Sequence, residues 1–95
     1  MIIQIVKFKT TLSEEEVMAI ARERAPEFQA LPGLLQKYYI KSDQPDQYGG
    51  IYVWDSMESL KSYRESDLAA SIPEAYKVQG QPVLEIYDTV FLLRE

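Results

Sequence analysis

The chain has no cysteine and no histidine among its 95 residues. Without cysteine there can be no disulfide, no thiolate metal site and no cysteine nucleophile. Without histidine the commonest acid–base side chain and the commonest zinc or haem ligand are missing. Positive charge is scarce too: ten Lys and Arg stand against fifteen Asp and Glu, for a net charge of −5. The basic residues are scattered, with none of the basic stripe that nucleic-acid binders show. Neither a nucleic-acid partner nor an anionic membrane partner is therefore expected. No apolar run approaches the roughly 18 residues of a spanning helix. Met1-Ile2-Ile3 leads directly into an alternating segment, with no basic region or cleavage site. A signal peptide is not expected, and a cytoplasmic location is.

What is present reads as one small α+β domain spanning residues 1–95. Ile2 to Lys9 is rich in β-branched residues and predicts a first strand. Ser13-Glu14-Glu15-Glu16 has the spacing of a capping box, and three glutamates suit the positive end of a helix dipole. The helix that follows carries Val17, Ile20, Ala21, Phe28 and Leu31 along one side, with Arg24 the polar exception. Pro26 should kink or split it. Leu34–Lys41 and Tyr48–Trp54 predict a second and third strand around a polar loop. Asp55 is the expected N-cap of a second helix. Ser71-Ile72-Pro73-Glu74 predicts a short capped helix, Gln79-Gly80-Gln81-Pro82 a break, and Val83–Leu93 a long final strand. The order βαββαβ gives a ferredoxin-like four-stranded antiparallel sheet with both main helices on one face. The first and last strands are apolar at both parities, so the other face should be covered as well, most simply in a homodimer.

Pro32-Gly33-Leu34-Leu35, Lys37 four positions after that glycine, and Gly49-Gly50-Ile51-Tyr52 resemble the YdhR-type mono-oxygenases of the dimeric α/β-barrel, antibiotic-biosynthesis mono-oxygenase-like superfamily. Trp54-Asp55-Ser56-Met57-Glu58-Ser59-Leu60 is similar to the superfamily's aromatic, then Ser/Glu, then helix pattern. The clear likeness spans roughly Pro26 to Tyr63. It implies a dimer with two sheets facing each other and a ligand cleft between sheet and helices in each subunit. Some members oxidise polycyclic phenols with O₂ and without metal or flavin, the substrate itself being the electron source. The haem-degrading branch uses a histidine ligand, which this chain lacks.

The functional expectation is accordingly a cofactor-independent mono-oxygenase acting on a small aromatic or phenolic compound, with neither metal nor other cofactor. The alternatives are a non-catalytic small-molecule-binding or stress-related dimeric module, and an interaction protein that pairs through its apolar sheet face. Lys37 and Tyr52 are the candidate catalytic residues. A lysine beside aromatics can stabilise a phenolate if burial lowers its pKa; it can equally be a solvated or ion-paired strand residue. Tyr52 can donate to a substrate oxygen or simply pack across strands. Trp54, Tyr39 and Tyr63 are candidate substrate-binding residues. Trp54 is read either as a stacking wall or as a core aromatic at a strand end. Tyr63 and Tyr76 can close the cleft or serve an interface. Alternation puts Lys37, Tyr39 and Lys41 in one row of the second strand and Gln36, Tyr38 and Ile40 in the other. Which row faces the cleft waits on the pairing register. Gly49 and Gly50 enter a strand, which marks a bulge or a close approach and not a phosphate loop.

Overall fold

The computed structural model describes residues 1–94. Its elements run β1 (Ile2–Thr10), α1 (Glu14–Gln29), β2 (Leu34–Lys41), β3 (Gln47–Trp54), α2 (Met57–Arg64), α3 (Asp67–Ala75) and β4 (Val78–Asp88). The strands form one antiparallel sheet in the order β2-β3-β1-β4. This is the ferredoxin-like α+β arrangement, with α3 added after the second main helix. No helix among the described residues is long and apolar enough to cross a membrane.

Register decides which residues meet the helices. Ile2 lies opposite Trp54, Gln4 opposite Tyr52, Val6 opposite Gly50 and Phe8 opposite Tyr48. On the other side of β3, Lys37 faces Tyr52, Tyr39 faces Gly50 and Lys41 faces Tyr48. A bulge at Leu35, between Leu34 and Gln36, sets this phase. The row of Lys37, Tyr39 and Lys41 is thus the one under the helices. Two buried clusters grow from this face. One contains Ile2, Phe28, Tyr52, Trp54, Leu60 and Tyr63; the other contains Phe8, Val17 and Tyr76. Ile72 of α3 packs against both. The core is split, and the split leaves room for a cleft.

The helix ends differ from expectation in instructive ways. Ser13 and Glu16 do form a capping box. Pro26 does not divide α1, which runs through it to Gln29. Val17, Ala21 and Phe28 bury one face, and the lost backbone bond is tolerated on the exposed side of the helix. At α2 the N-cap is Ser56, whose hydroxyl accepts from the Ser59 N–H at 3.2 Å; Asp55 instead accepts from the Ser59 hydroxyl at 2.7 Å. α3 starts five residues before the expected position, because Ser66 is its cap and accepts from the Ala69 N–H. Ser71 lies inside the helix and donates back to the Leu68 carbonyl at 2.7 Å.

The last strand is shifted towards the N-terminus, to Val78–Asp88. Gln79–Pro82 does not end the chain's extended run. It makes a bulge, with Lys7 opposite Val83 but Lys9 opposite Gln79, around a Gly80 of positive φ and a proline that cannot donate to the ladder. The strand stops where pairing runs out: Ile2 is opposite Asp88, and the Thr89 N–H donates to the Met1 carbonyl at 3.0 Å. Val90 to Leu93 lie beyond the ladder with most of their surface exposed.

The sheet face away from the helices carries Ile3, Ile5, Tyr38, Ile51, Val53, Val83 and Tyr87. Among the described residues no helix packs on it, and Tyr38, Val83 and Tyr87 are about half exposed there. Lys7 and Glu85, 3.7 Å apart, form an ion pair at its rim. Asp88 and Ile86 belong to the helix-side row, so they do not line this face.

Candidate functional site

A cavity of about 260 Å³ opens between α1, α3 and the β2–β3–β1 part of the sheet. Its floor is Val6, Phe8 and Gly50, its inner wall Tyr52, and its roof Val17, Ala21, Ile72 and Tyr76. Glu14 and Lys41, paired at 2.8 Å, stand with Tyr39 on the β2 side. The lining is mostly apolar, and Lys37 reaches it with no anionic partner among the described residues.

Lys37 is the unusual residue. Its ammonium lies 3.5 Å from the Phe28 ring centre, 4.5 Å from that of Tyr39 and 4.6 Å from that of Tyr52. Ring faces attract a cation, by about 0.5–2 kcal/mol each. Loss of water opposes this, and with the nearby Arg24 guanidinium it pushes the amine down to about 7. Near neutral pH the side chain is therefore divided between ammonium and amine.

Gly50 makes the space. A side chain there would start 3.2 Å from a Tyr52 ring carbon and 3.3 Å from Lys37 Cε. Gly49 is tighter still: a Cβ would fall 1.9 Å from the Val6 carbonyl oxygen. The expected close approach is real, and it belongs to the cleft floor. The Pro-Gly turn fixes the other end of β2. Gly33 has φ +81°, a Cβ on it would strike the Ser59 hydroxyl, and its carbonyl accepts from the Asp55 N–H at 2.8 Å.

The structure brings Lys37, Tyr39 and Tyr52 together around the cavity. Tyr39 is half exposed at its rim. Tyr52 is only 3% exposed, and its hydroxyl is 3.4 Å from that of Tyr63. Burial, reinforced by Tyr63, raises the Tyr52 pKa far above the phenol range. Tyr52 is a donor that keeps its proton. Burial also raises Tyr63 and Tyr39, and pushes Tyr76 up to about 12.

Tyr63 does not touch this cavity. It lines a second one of about 250 Å³, between α2–α3 and β1–β4, which shares Val6, Phe8, Tyr52 and Ile72 with the first. Trp54 lines neither. It has no exposed surface; its ring lies parallel to Tyr52 at 6.1 Å, and its indole N–H donates to the buried Gln4 side chain at 3.0 Å. The stacking surface expected of Trp54 is turned against Tyr52 and Tyr63, one layer behind the cleft.

Two contributors were not singled out as site residues from sequence. Phe28 supplies the nearest ring to Lys37; its place on the helix face with Val17 and Ala21 was the available signal. Arg24 lies on the same helix. Its Nη2 donates to the Ser71 hydroxyl and the Leu68 carbonyl, while its buried Nε has no acceptor. No group of His, Cys, Asp or Glu among the described residues could hold a metal ion.

The fold recurs widely among solved structures. SnoaB, a cofactor-independent oxygenase from Streptomyces nogalater, superposes with a TM-score of 0.78 at 14% identity, over 99% of this chain and 97% of that one. A putative antibiotic biosynthesis monooxygenase from Deinococcus radiodurans gives 0.76 at 14% identity, over 100% and 98%. One from Caulobacter crescentus CB15 gives 0.74 at 22% identity, over 95% and 91%. At such identities the likeness is one of fold. No functionally curated protein matches in sequence. The sequence itself matches the family described as "Putative mono-oxygenase ydhR" over residues 2–88. With the whole of the sheet and all three helices inside that match, the chain belongs to the ydhR mono-oxygenase family.

Proposed function

We propose that this protein is a cofactor-independent mono-oxygenase of a small phenolic compound, bound in the cleft beside Lys37. The observation that carries the reading is the unpaired Lys37 amine, seated on three aromatic rings in an apolar cavity. A phenol entering there meets Tyr52 and Tyr39 as flat walls. As ammonium, Lys37 stabilises the phenolate; as amine, it accepts the phenol's proton and becomes that ammonium. Tyr52 donates a hydrogen bond and does not compete as a base. Trp54 holds Tyr52 from behind. The deprotonated substrate supplies the electrons: a ring-activated CH₂ loses two hydrogens and gains one oxygen of O₂, and the second oxygen leaves as water. The dry wall of Phe8, Val17 and Ile72 shields the intermediate from solvent.

The bare sheet face supports a second element of the proposal, a homodimer. Ile3, Ile5, Ile51, Val53 and Tyr87 form one apolar row system, and sheets of this kind pack face to face at about 10 Å. A second copy also provides cover for Val90–Leu93.

The test is oxygen uptake with a panel of phenols carrying an activated CH₂, in the presence of a chelator. Uptake by the wild-type protein, lost at least about tenfold in Lys37→Met, is the expected result. Saturable binding without uptake would replace the enzyme by the binding module. One observation favours that second reading: every tyrosine that lines the cleft and shifts does so towards keeping its proton, so none of them supplies a base beside Lys37.

A further inference from the structure

We infer that the ligand of this cleft is an aromatic acid, whose carboxylate seats on Lys37 under the positive potential of Arg24. The inference rests on the cleft being the ligand site, as proposed above, and narrows what the site takes. Lys37 lines the cavity, and Arg24 on α1 is near enough for its charge to act on the Lys37 amine, in a chain of net charge −5. The ion pairs among the described residues are Lys7–Glu85 and Lys41–Glu14; neither neutralises Lys37 or Arg24. The Arg24 guanidinium is fixed to α3 through Nη2, yet its buried Nε has no acceptor. Buried donors without partners are rare and expensive. An uncompensated pair of like charges beside an apolar cavity is costlier still. The charge of Arg24 is felt at three residues of the cleft, Lys37, Tyr39 and Tyr76.

The isolated chain relieves this conflict by letting Lys37 release its proton. An anionic ligand relieves it the other way, by supplying the missing negative charge. A carboxylate on a flat ring system fits both halves of the site: rings against Tyr52 and Tyr39, charge against the amine. A neutral arene satisfies only the first half.

Binding should therefore carry a proton with it. The titratable and charged groups around Lys37 are Tyr39 on β2 and Tyr52 on β3, whose rings it touches, and Arg24 on α1, whose charge it feels; Tyr76 after α3 and the Glu14–Lys41 pair line the same cavity. Burial raises the cleft tyrosines, so they stay protonated at pH 8. Lys37 is the group left to titrate there. A carboxylate bound at pH 8 pulls the amine back to ammonium, and about one proton is taken up per ligand.

The experiment is calorimetric titration with 2-naphthoic acid and its uncharged isostere 2-naphthamide, at pH 8, in two buffers of different ionisation enthalpy. The expected result is at least about a tenfold preference for the acid, with buffer-dependent heat for the acid and none for the amide. Lys37→Met should bring the acid-to-amide ratio near one, and Arg24→Gln should lower it severalfold. Lys37→Arg keeps a charge that cannot titrate, so it should retain the preference and lose the proton uptake. Equal affinities, or an unchanged ratio in Lys37→Met, would overturn the inference; if that variant does not fold, proton uptake persisting in Lys37→Arg would do so. Oxygen consumption is read separately. Acid binding without oxygen uptake keeps the anion seat and removes the oxygenase. Oxygen uptake from neutral phenols with no acid preference removes the anion seat alone.

Discussion

Lys37 is held by opposing forces, and the balance has a stability signature. Its amine sits at about 7 in the folded chain and returns to about 10.5 on unfolding. Between these values the unfolded chain binds more protons, so stability rises with pH through that window; below about 7 the penalty is fully present. The buried tyrosines act in the opposite sense, and only above about pH 10, which leaves pH 7 to 9.5 to the lysine. Lys37→Met is expected to be more stable than wild type at pH 6.5, by on the order of 2 kcal/mol after allowing for the side chain's contact with water. That advantage should shrink by pH 9.5, as read from thermal midpoints. The glycines beneath it give a paired test. Gly49→Ala drives a Cβ into a backbone carbonyl and should destabilise by about 3 kcal/mol or more. Gly50→Ala crowds only the Tyr52 and Lys37 side chains and meets the Tyr38 carbonyl at an ordinary 3.5 Å, so it should fold with a small loss and bind ligand poorly. Lysine and aromatics were legible in the sequence as chemistry, but not as a site. Alternation gives two rows, and only the pairing of Lys37 with Tyr52 chooses between them. Trp54 was legible as an aromatic and not as a depth, because a strand end can lie at a rim or under two helices.

Among the elements, α1 carries a proline where a backbone donor belongs. Pro26 is exposed and the helix continues past it, with the Ala30 N–H reaching the Pro26 carbonyl at 3.2 Å. Pro26→Ala restores an N–H to the ladder. It is expected to stabilise by about 1–2 kcal/mol, since the gain in the helix outweighs the greater freedom of the unfolded chain; a lower unfolding midpoint would show that the helix is shaped around the proline. The order of elements was readable because each begins or ends on local chemistry, such as the Ser13 capping box and the Pro32-Gly33 turn. The start of α3 and the limits of β4 were not. Ser66 and Ser71 are equal as caps until the end of α2 is known. A strand's length is set by its partner, and Asp88 is last in β4 because Ile2 is first in β1.

For the whole molecule, the apolar residues at both parities of β1 already required cover on both sides of the sheet. The helices cover one. Ile5 lies near the middle of the other, opposite Ile51 on β3 and Glu85 on β4. Ile5→Lys is expected to yield a monomer by light scattering at low concentration, with its fold retained by circular dichroism; a wild-type mass that is already monomeric would remove the proposed pairing. The same layered packing has an optical consequence. The chain holds seven tyrosines and one tryptophan, and that indole is sealed from water and parallel to Tyr52 within 3°. Light absorbed by the tyrosines is funnelled by resonance transfer into one emitter. Because Tyr52 is both the cleft wall and the plate lying against that emitter, a guest that tilts its ring changes the colour and lifetime of the glow from Trp54 without ever touching it.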